Sequence, residues 1–311
     1  MKKLLIISFL INIASGITTN EIYDNSWALI IGIDKYKNIN KLNYAVKDAK
    51  AIKSLLKRNY GFKAENITLI LNENATYSNI RREFASITKL ANENDRVLIY
   101  FAGHGQTMNL PNGGEKGFLL PVEALEDDLY FTGLPMDELR SIALMSRAKH
   151  ILYLIDACYG GIAAVGTRGL NPINSSNYIH KITNNSARQV ITAGGKGEEV
   201  IEKSEWGHSA FTKNIQSALK FGNADFNNDN VITANELALY LIEKVSIDSD
   251  NLQTPQYGRM TSDEGEFVFI SPKVFSSLKE EANQLKDLLK RNAELEARIK
   301  YLENINNMNK Y

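Results

Sequence analysis

The amino-acid sequence predicts an α/β fold, a mostly parallel β-sheet flanked by helices, with a separate helical tail. Three observations carry that expectation. From residue 27 to residue 270, short apolar runs alternate with stretches of helical periodicity, the rhythm of strands buried on both faces and the helices that cover them. Two of the strongest apolar runs end in glycine-flanked polar residues, and the carboxyl ends of strands are where an open sheet forms its sites. The composition, 44% hydrophobic and 23% charged over 311 residues, suits a chain that folds around a buried core.

The elements follow in order. Lys2 and Lys3 precede the apolar run Leu4 to Ile13 and then Ala14, Ser15 and Gly16, a signal-peptide layout whose apolar stretch falls short of the roughly 20 residues that span a bilayer. Residues 1–16 are therefore expected to direct export to a periplasm, a surface or the medium, with cleavage after Gly16 and no stable membrane insertion afterwards. Trp27 to Ile33 reads as a buried strand. The stretch Ala45 to Arg58 sets Ala45, Ala49, Ile52, Leu55 and Leu56 on one helical face. Strand, helix and strand then repeat over Asn66 to Leu71, Tyr77 to Leu90 and Arg96 to Ala102. A helix over Met136 to Met145 leads to a strand over Ile151 to Ile155. The second half reads as a strand at Gln189 to Ala193, helices near Ser209 to Phe221 and Ala234 to Val245, and a final strand at Glu266 to Ile270. Between Gly160 and Arg188 no periodicity survives, and Gly, Asn, Ser and Pro there read as a long exposed loop.

Charge and cysteine content narrow the function. Lys and Arg number 36 against 36 Asp and Glu, so no chain-wide basic field exists to attract nucleic acid. The chain has one cysteine, Cys158, which excludes an intramolecular disulfide and leaves the thiol to be explained on other grounds. A redox sensor lacks a resolving cysteine.

Cys158 follows the strand Ile151 to Ile155, within Asp156-Ala157-Cys158-Tyr159-Gly160-Gly161. His104 follows the strand Arg96 to Ala102, between Gly103 and Gly105. Parallel neighbouring strands would deliver both to one edge, where an imidazole takes the thiol proton and makes a nucleophile. The flanking glycines permit close backbone approach and leave amide N–H groups free to face an oxyanion. His150, His180 and His208 lack such a setting and read as ordinary packing or surface residues.

The run Tyr100-Phe101-Ala102-Gly103-His104-Gly105 and, 54 residues after its histidine, Cys158 in its own motif resemble the two catalytic motifs of the caspase-like cysteine peptidases. The resemblance extends to Trp27 through Ile33 with Tyr36, to Leu42 through Ala49 and to His208 through Thr212, and so covers residues 27 to 272. It implies a large-subunit part over 27–163, a linker over 164–187 and a small-subunit part over 188–272, all within a peptidase domain of 17–272. It implies His104 as general base, Cys158 as nucleophile, the N–H groups of Gly105 and Cys158 as oxyanion hole, and no required cofactor. Asp156 stands where animal caspases have Gln, the metacaspase and paracaspase pattern, in which this Asp and one matching Asp48 line the substrate pocket. Two carboxylates there favour Arg or Lys before the scissile bond; Asp48 reads equally as a solvated helix residue. Self-cleavage after Arg168, Lys181 or Arg188 is an expectation of that specificity. A catalytically silent scaffold that binds peptides is the alternative.

Two further segments stand out. The run from Asp225 to Glu236 fits the calcium-loop spacing, with Asp225, Asn227, Asp229 and Glu236 as side-chain ligands and the Val231 carbonyl between them, though Asn230 replaces the usual glycine. It reads equally as a polar turn, with Thr233 capping the next helix and Glu236 completing the cap. Over 273–311, Leu285, Asn292 and Ile299 at a positions and Leu288, Leu295 and Leu302 at d positions form a short heptad seam. A coiled-coil helix pairing two copies through 278–306 is expected.

Overall fold

The computed structural model describes residues 18–157, 176–195, 197–270, 288–296 and 298. The chain divides into two units, and the fold below is that of Ile17–Ser271. Of the other unit, residues 288–296 and 298 are described and are helical, with Leu288 and Leu295 exposed. The leader over 1–16 and three of the six heptad-seam residues, Leu285, Ile299 and Leu302, lie outside the described residues. No helix among the described residues is long and apolar enough to cross a membrane.

The main sheet has six strands: β1 (Ser26–Gly32), β2 (Ile67–Leu71), β3 (Arg96–Ala102), β7 (His150–Asp156), β8 (Ala187–Thr192) and β12 (Gln256–Arg259). Their spatial order is β2-β1-β3-β7-β8-β12, parallel throughout except for the antiparallel edge strand β12. Every residue of β3 and of β7 is buried, which explains why both read as unbroken apolar runs.

The alternation of side chains across the sheet sorts the core into two layers. Leu98 and Tyr100 of β3 join Leu152 and Leu154 of β7 on one face. That face is covered by α1 (Ala45–Asn59), α5 (Ala210–Phe221) and α6 (Ala234–Asp248). Val97, Ile99 and Phe101 join Ile151 and Tyr153 on the other, under α2 (Tyr77–Leu90) and α3 (Met136–Met145). Side-chain caps start three of these helices: Thr76 accepts from Asn79, Ser209 from Thr212 and Thr233 from Glu236, each satisfying an N–H that the first turn leaves orphaned.

Three small antiparallel sheets were not legible in the periodicity. β4 (Gly105–Asn109), β5 (Glu115–Leu119) and β6 (Leu134–Pro135) form one. β9 (Glu202–Lys203) pairs with β10 (His208–Ser209). β11 (Val231–Thr233) pairs with β13 (Val268–Ile270), so the last strand stands outside the main sheet.

The stretch 160–188 is corrected where it is described. Ser176–Asn184 forms helix α4, and Arg188 belongs to β8. Arg188 is only 8% exposed, with its guanidinium donating to the carbonyls of Ala143, Ser146, Lys149 and Ala187. It is a strand residue that anchors neighbouring loops, so it presents no open backbone for self-cleavage. Lys181 sits exposed on α4, and Arg168 lies outside the described residues.

Candidate active site

The register of the two central strands decides where the chemistry-bearing residues meet. β3 and β7 pair so that Ala102 stands beside Asp156, and the Gly103 N–H donates to the Asp156 carbonyl at 3.2 Å. His104 lies two residues beyond Ala102 and Cys158 two beyond Asp156. Cys158 itself lies outside the described residues, which end there at Ala157.

His104 is held by the loop after β1. Its N–H donates to Tyr36 Oη at 2.7 Å, and its Nε2 lies 2.8 Å from the Asn40 carbonyl oxygen. A carbonyl only accepts, so Nε2 carries a proton and Nδ1 is the ring atom left to act as a base. Gly103 makes this arrangement possible: a Cβ there would stand 2.5 Å from Tyr36 Oη and 3.1 Å from the Phe101 ring. On the other side, the Leu120 N–H donates to the His104 carbonyl at 3.0 Å. Gly105 and Leu119 are thus a non-hydrogen-bonded pair of the β4–β5 ladder, which turns the Gly105 N–H away from β5.

Asp48, Asp156 and His104 line one cavity of about 480 Å³, closed on its far wall by Val200, Ile201 and Glu202 with Glu199 beside them. Asp48 projects from the first turn of α1, 1% exposed, rather than into solvent. Its Oδ1 accepts from His208 Nδ1 in a short contact, and its Oδ2 from the Ser209 N–H at 3.1 Å. Asp156, the last residue of β7, is 3% exposed. Its Oδ2 accepts from the hydroxyls of Ser209 at 2.6 Å, Thr212 at 2.7 Å and Tyr100 at 3.1 Å, while Oδ1 is buried with no partner among the described residues.

Burial sets the electrostatics. It pushes Asp156 up to about 7, with the nearby Asp48 carboxylate adding to the rise and the three hydroxyls opposing it. Asp48 is raised chiefly by burial as well, against its His208 and Ser209 contacts. Glu202, also raised by burial, accepts from the N–H groups of Asn43 and Tyr44 at 3.3 Å each. It therefore ties down the two residues that lead into α1, whose first-turn Val46 N–H donates to Asp34 Oδ1 at 3.0 Å.

Four functional neighbours escaped the sequence reading. His208, expected to be an ordinary residue, bonds Asp48. Ser209, Thr212 and Tyr100 hold Asp156. Their only local signal is Ser209 before a helical run, an N-cap pattern; the contact of His208 with Asp48 spans 160 positions. By contrast His150 is the core residue expected, buried with Nδ1 2.5 Å from Tyr23 Oη and Nε2 2.9 Å from the Asn185 carbonyl.

The 225–236 loop is not part of the cavity lining. Its carboxylates turn onto their own backbone: Asp225 accepts from the N–H groups of Asp229 and Asn230, and Asp229 from that of Val231. Glu236 Oε2 accepts from the Thr233 N–H and hydroxyl, completing a capping box. Among the described residues no group of three or more His, Cys, Asp or Glu side chains is placed to hold a metal ion.

The fold is that of a known family. The caspase-domain model of that family matches residues 25–264, and the chain belongs to it. Metacaspase-1 of Eremothecium gossypii is 28% identical over 193 residues, which are 56% of this chain and 41% of that protein. Metacaspase-1 of Kluyveromyces lactis is 26% identical over 149 residues, 43% of this chain and 33% of that one. The chain thus spans well under half the length of these curated relatives. Among solved structures, caspase-1 of Spodoptera frugiperda superposes with a TM-score of 0.51 at 15% identity, over 82% of this chain and 96% of that one. A protein of Geobacter sulfurreducens gives 0.52 at 15%, over 80% and 94%. Both share the fold.

Proposed function

We propose that the chain is a cysteine endopeptidase that cleaves after Arg or Lys. The observation that carries this reading is the pairing of Ala102 with Asp156, which sets His104 beside an acidic cavity at the end of the strand that leads to Cys158. Cys158 attacks the carbonyl after the basic residue and forms a thioester, its proton passing to His104 Nδ1. His104 returns that proton to the leaving amine, and water hydrolyses the thioester. The Gly105 N–H, facing away from β5, is one donor to the oxyanion. Asp48 and Asp156 receive the substrate's basic side chain.

The test is turnover of fluorogenic peptides ending in Arg, Lys or Asp. Cleavage of the first two and not the third is expected, with at least about 1,000-fold less in Cys158→Ala, as when a covalent nucleophile is removed. Full activity in Cys158→Ala, or preference for Asp, would overturn the assignment.

A further inference from the structure

One dipeptide, His208-Ser209, holds both aspartates of the cavity, and its two members act differently. Ser209 is fixed by the fold. Its hydroxyl accepts from the Thr212 N–H at 2.9 Å as the cap of α5 and donates to Asp156, while its N–H donates to Asp48 Oδ2. The described contact of Asp48 Oδ1 is with His208 Nδ1. His208 does not itself line the cavity, whereas Asp48 does. Its backbone is set by the β9–β10 pairing opposite Lys203, and its side chain is 18% exposed.

The carboxylates that line the cavity are Asp48, Asp156, Glu199 and Glu202; Asp156 keeps one buried oxygen with no partner among the described residues, and Asp48 keeps the lone pairs that its two donors leave. The direction of those lone pairs depends on both donors of Asp48. One is a backbone N–H that cannot be lost; the other is a side chain that can.

We infer that His208 is a positioning residue that gives the cavity its preference for Arg over Lys. The inference rests on the reading of this cavity as the subsite for a basic side chain. A guanidinium presents five N–H groups in a rigid planar fork and gains fully only from acceptors held in fixed relation, here Asp156 Oδ1 and Asp48. An ammonium is compact, turns about its last bond and adapts to acceptors that move. An Asp48 pinned at both oxygens is worth more to Arg than to Lys. Without His208 the carboxylate turns about its Cβ–Cγ bond, and burial, already pushing its pKa up against the His208 contact, favours the neutral form.

The experiment measures kcat and KM for two peptides that differ only in Arg or Lys before the scissile bond, on the unaltered chain, His208→Ala and His208→Asn. The unaltered chain should prefer Arg. His208→Ala should raise KM for the Arg peptide about 10-fold, the size of one charge-assisted hydrogen bond, leave the Lys KM within about 3-fold and leave kcat unchanged. His208→Asn places an amide N–H near the former Nδ1 and should return the Arg KM to within about 3-fold. Equal losses on both peptides, a loss confined to kcat, or an Asn variant no better than Ala would overturn the assignment. Calorimetric binding of acetyl-arginine amide and acetyl-lysine amide to the Cys158→Ala chain, with and without His208→Ala, separates the two readings. An Arg preference that disappears with His208→Ala supports the inference even where no peptide is cleaved. Equal binding of the two amides, or binding of neither, overturns it.

Discussion

Two acidic clusters in this molecule, the Asp48–Asp156 cavity and the 225–236 loop, share a composition and differ in how their oxygens are used. Burial lifts a carboxyl to about 7 in each, Asp156 in the first and Glu236 in the second. In the loop, Asp225 and Asp229 spend their oxygens on backbone N–H groups within the same turn, with Asn228 and Asn230 at positive φ of 56° and 67° closing it. In the cavity, the donors come from residues distant in sequence, on α5, β10 and β3. Each cluster keeps one buried oxygen with no partner among the described residues, Asp156 Oδ1 here and Glu236 Oε1 in the loop, but of the two residues Asp156 alone lines the cavity. The contrast teaches that the number of carboxylates is a poor guide to a binding site. What matters is whether the residue that keeps a free oxygen also lines a cavity.

The largest effect that sharpens this contrast is expected from Asp156→Asn. It should lower kcat/KM for Arg peptides about 100-fold or more, the cost of losing one partner of a buried charge pair. The same change bears on stability with a definite sign. Because the folded-state pKa of Asp156, about 7, lies above the ordinary 3.8, the fold favours the protonated form. That contribution is complete below pH ~3.8 and is lost as pH rises through about 7. The variant should therefore melt higher than the unaltered chain by at least about 3 °C at pH 8 and by much less at pH 4. In the unaltered chain, KM for Arg peptides should fall as pH rises across the same range, since the cation binds the ionised carboxylate. A melting difference that does not change with pH would refute this account.

Gly103→Ala comes next. The added methyl meets Tyr36 Oη, the atom that receives the His104 N–H. Stability should fall by about 1–3 kcal/mol and kcat by about 10-fold or more as the imidazole shifts, read from melting and single-turnover rates. A folded variant with unchanged kcat would show that Tyr36 does not set the ring. Glu202→Gln replaces one acceptor oxygen at the start of α1 with a donor, and about 1 kcal/mol of stability should go with it; urea titration measures this. The smallest effect is expected at the loop. With Glu236 Oε2 committed to its cap and Asp225 and Asp229 turned onto their own backbone, millimolar calcium should move the melting temperature by less than about 1 °C. A larger rise that Asp225→Ala removes would return a metal role to that segment and erase the contrast.

The main sheet was legible because β1, β3 and β7 are buried on both faces, so their apolar runs are long and unbroken. Residue bounds for β3, α2 and α3 follow the periodicity, since each ends at a residue that breaks the pattern, as Gly103 does after Ala102. Asp156 could be placed because it terminates such a strand. The two- and three-residue strands β6, β9, β10 and β11 are too short to show a period. β8 begins with Ala187 and a buried Arg188 whose guanidinium is hydrogen-bonded by four carbonyls, a solution that no local pattern announces. His208 was missed for the same reason: its partner lies on another element, and a lone histidine before a serine carries no sign of it.

The wall of the cavity is stitched from both sides of residue 158, with Asp48, Asn43 and His104 before it and Glu202, Ile201 and Ser209 after residue 175. β7 and β8 lie side by side in the sheet, and Ser209 reaches Asp48 across the seam. Severing the backbone once between residues 158 and 175 would leave two polypeptides that elute together from a sizing column and part only in denaturant. Covalent continuity at that point is dispensable to the architecture of the acidic wall.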